Sequence, residues 1–386
     1  MIKKLIKTII RQLSANKFTT LNHMELSRKA FLNNYSFFQK INPKFSIIPV
    51  LKSNAYGHGI IQYSKILNSV DCKLIAVDSY YEAEKIRDTT NHKILVLGYI
   101  KPENFKLLDT NKCSFVIQNI NCLKALGLLN KRINIHIELN TGMNRLGLNQ
   151  HELDDYLSRL KQYPKLQIEG VMTHLADADN NHSSLFTNSQ VKMFDSLVKK
   201  IIDEGFSPKY IHIAQTAGCL TAQSKYANAA RIGIGLFGIN PFSESNDKPH
   251  IFDQLVPVME LKSTIIKIIN LQSGDKVSYN GIFVANKPMR IGILPLGYYE
   301  GVPRELSNCG FATSGKFILP IIGRVCMNHT IIDLADSRLQ EGDEITIISN
   351  KPSQINSIAQ ICKNNKLFSY QLMSNITENI RRIIVD

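Results

Sequence analysis

Residues 45–59 read FSIIPVLKSNAYGHG. The apolar run 47–51 stops at a lysine. Two glycines follow, and a helix-period stretch, 60–67, begins. An apolar run, a polar turn and an amphipathic segment in that order make one strand–helix unit. The unit recurs. Further strand-like runs lie at 74–77, 94–97, 115–117, 133–139, 168–172, 211–214 and 232–236, with helical stretches such as 81–87, 121–129, 152–162 and 189–204 between them. Eight strands alternating with helices predict a parallel sheet closed into a (β/α)8 TIM barrel over residues 21–252. A doubly wound open sheet is the alternative.

Beyond residue 252 the pattern changes. Runs at 256–270, 290–296, 316–325, 330–334 and 344–349 read as strands broken by Gly, Pro, Asn and Asp, and only 353–365 reads as a helix. Residues 253–386 are therefore expected to form a smaller, mostly-β domain, joined through a polar linker at 242–250. Residues 1–20 form a basic amphipathic extension. Leu5, Ile9 and Leu13 repeat at helical spacing among Lys3, Lys4, Lys7 and Arg11. Lys7 interrupts any signal-peptide core, so a short lead-in packed on the body is preferred over a membrane-surface helix.

Composition excludes several classes. The 386 residues are 44% hydrophobic and 20% charged, a globular balance. No apolar run reaches the ~20 residues of a spanning helix, so no integral membrane segment is expected. The seven cysteines are scattered without a CxxC, which argues against disulfides and zinc and fits a cytoplasmic location. The net charge of +14 is spread along the chain, and no nucleic-acid-binding module accompanies it, so no nucleic-acid partner is expected.

Chemistry on a barrel belongs at the carboxyl ends of its strands. The first strand ends in Lys52, a poor residue to bury unless its amine has work to do. The fifth alternates Ile133, Ile135, Ile137 and Leu139 with Asn134, His136, Glu138 and Asn140, then leads to Arg145. The sixth ends in Thr173-His174, the seventh runs into Gln215-Thr216, and Arg231 opens the glycine-rich Ile232-Gly233-Ile234-Gly235. Singly, each has an ordinary structural explanation. A lysine, a histidine, two arginines, hydroxyls and glycines on one rim instead suit a phosphorylated, carbonyl-bearing cofactor such as pyridoxal 5'-phosphate.

The stretch 49–59 resembles the pyridoxal-lysine motif of the alanine racemase family, fold-type III pyridoxal-phosphate enzymes. The likeness continues at 140–147, 172–174, 231–238, 277–281, 296–298, 325–327 and Tyr370. It implies an isomerase that interconverts L- and D-alanine by a two-base mechanism, as a homodimer with shared active sites, to supply D-alanine for peptidoglycan. Lys52 would hold the cofactor as a Schiff base and serve as one base, with Tyr279 of the partner subunit as the other. Arg231 would hydrogen-bond the pyridine nitrogen, and His174 would link Tyr279 to Arg231. Tyr56, Thr216, Gly233, Ile234 and Tyr370 would hold the phosphate. Arg145 and the Met327 amide would hold the substrate carboxylate, and Tyr298 would narrow the entrance. No metal is implied. Glu138, Asn140, Gln215, Ile232 and Asn328 depart from the family's usual residues, and several of these surround the carboxylate pocket. Glu138 is expected to support Arg145. Alternatives are a racemase of other specificity, a decarboxylase of the same architecture and a non-catalytic pyridoxal-phosphate-binding protein.

Overall fold

The computed structural model describes residues 19–179, 185–242 and 249–386. Most of the expected basic extension and most of the expected linker lie outside the described residues.

The first described strand is β1 (His23–Ser27). Eight strands then form one parallel sheet: β2 (Ser46–Pro49), β3 (Leu74–Val77), β4 (Lys93–Val96), β5 (Cys113–Ile117), β6 (Ile133–Glu138), β7 (Leu166–Met172), β8 (Tyr210–Ala214) and β9 (Ala229–Ile232). Their order is β2-β9-β8-β7-β6-β5-β4-β3. A parallel bridge between Val50 and Ala76 joins the two ends, where the Leu51 amide donates to the Ala76 carbonyl at 2.8 Å. The sheet is thus a nearly closed eight-stranded barrel with helical crossovers, and the open sheet is excluded.

Helices form where the sequence caps them and stripes them. In the helix Gln150–Leu160, Asn149 and Glu152 make a reciprocal capping box, which satisfies amides that would otherwise lack partners. Leu153, Tyr156, Leu157 and Leu160 are its buried face, at spacings of three and four. Each fully buried leucine contributes about 1.5–3 kcal/mol. Truncation of Leu157 to alanine would cost about 2–5 kcal/mol.

The barrel interior is apolar over much of its volume, with Ile48, Val50, Leu74, Ala76, Leu95, Val116, Met172, Tyr210 and Ala229 in one cluster. On β6 both rows are buried. The isoleucine row Ile133, Ile135 and Ile137 is fully covered, and so is His136 on the opposite row. His136 pairs in register with Val116 of that interior cluster. The polar row of β6 therefore faces into the barrel.

The second unit is β-rich. A six-stranded sheet runs β16-β15-β18-β10-β1-β19, using β10 (Met259–Thr264), β15 (Phe311–Ser314), β16 (Phe317–Pro320), β18 (Glu344–Ile348) and β19 (Arg381–Val385). A three-stranded sheet pairs β11 (Lys267–Leu271), β14 (Met289–Leu294) and β17 (Thr330–Asp333), and a two-stranded ribbon pairs β12 (Lys276–Val277) with β13 (Phe283–Val284). Leu271, Val277, Ala285, Ile291 and Ile322 form its separate core.

Three expectations change in detail. Among the described residues the division is not one cut at residue 252: those of 26–259 group with 368–375 and 384–386, while 260–367 group with 376–383 and 19–25. β1 explains part of this, since it lies between β10 and β19 in the second unit's sheet. The run 256–270 is two strands, not one. The eighth barrel strand is Ala229–Ile232, and residues 234–237 are a 3₁₀ turn. Small Ala229 and Ala230 disguised the strand, and Gly233 ends it at φ −111°, ψ −94°.

Candidate active site

Lys52 follows β2 after Val50 and Leu51 and opens an unusual turn. Ser53, Asn54, Ala55 and Tyr56 all have φ between 52° and 54°, and Gly57 continues at 83°. A left-handed backbone costs roughly 1–2 kcal/mol per non-glycine residue. Local hydrogen bonds hold it. Asn54 accepts from the Ile60 amide at 2.9 Å, and its own amide donates to Glu82 at 3.2 Å. Gly57 is needed twice, for its φ and because a Cβ there would lie 1.9 Å from the Met373 carbonyl oxygen. Strain of this kind is characteristic of functional sites.

The same turn presents Tyr56. Its ring lies 5.6 Å from Phe237 and 6.2 Å from Tyr370. Its hydroxyl abuts Gly233, where any Cβ would come within 2.1 Å of it. The amides of Gly233 and Gly235 both point to the Thr216 hydroxyl, each at a long 3.4 Å. Tyr56, Thr216, Gly233, Ile234 and Tyr370 are thus brought to one place. Tyr370 arrives there because the short helix Ser369–Ser374 groups with the barrel.

Arg231 is the buried centre. One guanidinium nitrogen donates to His212 Nδ1 at 2.9 Å and to the His212 carbonyl at 2.7 Å. The other donates to the Thr173 carbonyl at 2.6 Å and faces His174 Nδ1 at 3.3 Å. Burial lowers its pKa to about 10, so it keeps its charge at neutral pH. Burial also drives His174 down to about 3, reinforced by Arg231, Arg145 and Lys52. His174 is therefore a neutral imidazole among three cations.

Arg145 is exposed on a loop shaped by Asn140. The Asn140 side-chain oxygen accepts from the amides of Gly142 and Asn144, each at 3.1 Å, and its NH₂ donates to Asn144 Oδ1 at 3.0 Å. Glu138 does not pair with Arg145 at ion-pair distance. It accepts instead from Gln118 Nε2 at 3.2 Å. Burial raises the Glu138 pKa, and the charges of Arg231 and Arg145 oppose that rise. The expected support of Arg145 is thus at a distance, because the glutamate is too short to reach it.

The remaining expected residues lie in the β-rich unit. Tyr279 sits on a 3₁₀ turn after Ser278, whose φ of 63° and ψ of −172° are strained for a residue with a side chain. The Ser278 hydroxyl donates to the Arg324 carbonyl at 2.8 Å and lies 3.4 Å from Cys326 Sγ. The Tyr298 amide donates to the Cys326 carbonyl, and that of Tyr299 to the Met327 carbonyl, both at 3.0 Å. Tyr279, Met327 and Tyr298 are 68%, 55% and 45% exposed. Asn328 donates to Glu300 at 2.7 Å, an arrangement that an aspartate could not make.

Sequence reasoning passed over His212, Gln118 and Gln190. Gln190 is fully buried and ties the His174 carbonyl to the Thr141 hydroxyl. The alternation of His212 with Ile211 and Ile213 was the available signal for one of them.

A phosphorylated pyridine aldehyde fits these residues. Lys52 offers a primary amine. The glycines leave a cradle that a Cβ would fill, beside a tyrosine and a threonine hydroxyl. The buried amide oxygen of Gln215 has no hydrogen-bond partner among the described residues. Arg231 is a permanent donor with its orientation fixed.

Two family models match in order: the alanine racemase N-terminal domain over residues 26–241 and the C-terminal domain over 258–384. An alanine racemase of Staphylococcus saprophyticus is 29% identical over 96% of both chains. One from Helicobacter pylori J99 is 28% identical, over 94% of this chain and 98% of its own. Among solved structures, alanine racemase from Bacillus anthracis with bound L-Ala-P superposes with a TM-score of 0.86 at 26% identity, covering 96% of each chain. That from Bartonella henselae with covalently bound pyridoxal phosphate gives a TM-score of 0.81 at 22% identity, covering 95% of this chain and 100% of that one. With both models matched along its length, the chain belongs to the alanine racemase family.

Proposed function

We propose that this chain is a pyridoxal-phosphate-dependent alanine racemase in which two subunits complete each active site. The observation that carries this reading is the convergence of Lys52, Arg145, His174 and Arg231 at one end of the barrel, with the Arg231–His174 contact in place. Pyridoxal phosphate, when bound, supplies the electron sink that acidifies the α-proton of an amino acid. Racemisation then needs a base on each face of that carbon. The Lys52 amine moves the proton on one face. The phenol of Tyr279 of the partner subunit moves it on the other. Arg231, which can only donate, would hydrogen-bond the pyridine nitrogen. Neutral His174 hydrogen-bonds Tyr279 without adding charge. Tyr56, Thr216, Tyr370 and the amides of Gly233 and Ile234 would hold the phosphate. Arg145 and the Met327 amide hold the carboxylate, with Tyr298 beside the entrance.

The homodimer is supported by the exposure of Tyr279, Tyr298 and Met327, which are large apolar or aromatic residues gathered on one unit. Seven free cysteines support a reducing, cytoplasmic setting, in which the product serves peptidoglycan synthesis. No helix among the described residues is long and apolar enough to cross a membrane. The test is incubation of the cofactor-loaded protein with individual L-amino acids in deuterated water, with α-deuteration and chirality followed together. Alanine should react fastest and lose its chirality as it gains deuterium. Deuteration without inversion would remove the second base, and a faster amino acid would replace the substrate.

A further inference from the structure

The polar row inside the barrel does more than fill space. From Arg231 a line of four side chains crosses the interior, Arg231 being the first. Arg231 Nη1 lies 2.9 Å from His212 Nδ1. His212 Nε2 lies 2.8 Å from His136 Nδ1. His136 Nε2 faces Glu169 Oε2 at 3.5 Å, an electrostatic contact without hydrogen-bond geometry. Glu169 accepts from Ser114 Oγ at 2.5 Å and from Asn134 Nδ2 at 3.2 Å, with Lys93 Nζ at 3.8 Å. His136 and His212 are fully buried.

We propose that Glu169 and His136 are positioning residues, which through His212 hold Arg231 in the orientation that the cofactor's ring nitrogen requires. The assignment of Arg231 to that nitrogen rests on the proposed function; the chain of contacts does not.

Direction is what gives the line its effect. An arginine can only donate, and a carboxylate can only accept. Two neutral imidazoles between them then have one consistent arrangement. His212 accepts at Nδ1 and carries its proton at Nε2. His136 accepts that proton's hydrogen bond at Nδ1 and carries its own proton at Nε2, aimed at Glu169. Any other tautomer places two donors or two lone pairs face to face. Both histidines are kept neutral by burial, which lowers their pKa values; His136 has Glu169 acting the other way, and Arg231 lowers both. A metal does not explain the line, since no three ligating side chains among the described residues are placed to hold one. Residues that hydrogen-bond a ligand-holding side chain orient it, and their loss costs about 10–100-fold in the metal sites where it is best measured.

The experiment uses the cofactor-loaded enzyme labelled with ¹⁵N-histidine. Ring nitrogen shifts should place the proton on Nε2 of both His136 and His212, and a proton on Nδ1 of either would overturn the proposal. Glu169→Leu removes the terminal acceptor. It should mix the tautomers, shift the visible absorption of the bound cofactor and lower kcat roughly ten- to hundredfold with KM for alanine little changed. Glu169→Gln retains an acceptor oxygen and should restore both the tautomers and most of kcat. Unaltered tautomers and kcat in Glu169→Leu would make Glu169 a structural residue only. The wild-type shifts decide the matter even if that variant fails to fold. Expected tautomers in a protein that racemises nothing would refute the proposed function and leave the chain standing.

Discussion

The barrel rim and the exposed patch of the β-rich unit hold their functional side chains in opposite ways. Arg231 is locked by four polar contacts, to His212 twice, Thr173 and His174, and is buried. Tyr279 is fixed through its backbone, by strained Ser278, while most of its ring is in solvent. A buried cation surrounded by acceptors is complete within one chain. An exposed tyrosine on a rigid turn is an offering to something else. On the proposed function, the difference separates a half-site complete within one chain from one that a partner subunit would complete.

The largest expected effects test each half. Lys52→Ala and Tyr279→Phe should each lower racemisation by about a thousandfold or more, as losses of catalytic groups do. They differ in colour. Lys52→Ala should abolish the visible band of the lysine-bound cofactor, and Tyr279→Phe should keep it, because the barrel half is intact. Equal loss of the band in both variants would erase the distinction.

Acid should weaken the barrel half first. Burial pushes the Glu169 pKa up, but the contact with His136, the hydrogen bond from Ser114 and the charge of Lys93 outweigh it and bring it from 4.5 to about 2. A depressed folded-state value means that the stabilisation is present above pH 4.5 and is lost as pH falls towards 2. Discounted for partial solvent exposure, the effect is roughly 2 kcal/mol. Denaturant titrations across that window should show a smaller loss in Glu169→Gln than in the wild type. Parallel curves would place the acid sensitivity elsewhere.

Glu138→Gln keeps a group that can bond Gln118 but removes the negative charge felt by Arg231 and Arg145. Catalytic efficiency should fall about tenfold, mostly through KM, if Arg145 binds the carboxylate in ground and transition states alike, as the proposed function has it. Steady-state kinetics beside Arg145→Ala would decide it: no change in the first with a large loss in the second makes Glu138 a bystander. The smallest effect belongs to the exposed patch. Asn328→Asp sets a carboxylate against Glu300, and thermal unfolding should show a loss of about 1 kcal/mol that acidification relieves. A variant as stable as the wild type at neutral pH would show that the patch does not depend on this contact.

Legibility followed the same divide. Lys52, His174 and Arg231 stood out because each sits beside an apolar run that reads as a strand, and strand ends are where a barrel keeps its chemistry. The run 74–77 and the helix 60–67 match the structure to the residue. The interior line from Glu169 to His212 was not legible. It depends on how neighbouring strands slide, including the register shift between Ile135 and His136 where β6 pairs with β7. Tyr370 could not be placed with the barrel from its position in a β-rich stretch. The strain at Ser53–Tyr56 and at Ser278 leaves no mark on composition, since serine, asparagine and alanine are common in ordinary turns. The reach of Glu138 to Gln118 instead of Arg145 is likewise a matter of side-chain length across strands.

The most direct measurement mixes the two inactive proteins. Lys52→Ala and Tyr279→Phe subunits are combined at equal concentration, exchange is verified by mass, and racemisation is assayed. Half of the randomly assembled dimers are mixed, and each of these holds one intact site, so activity should return to about a quarter of the wild type. No recovery after complete exchange would mean that Lys52 and Tyr279 act within one chain, and the two half-sites would not be shared.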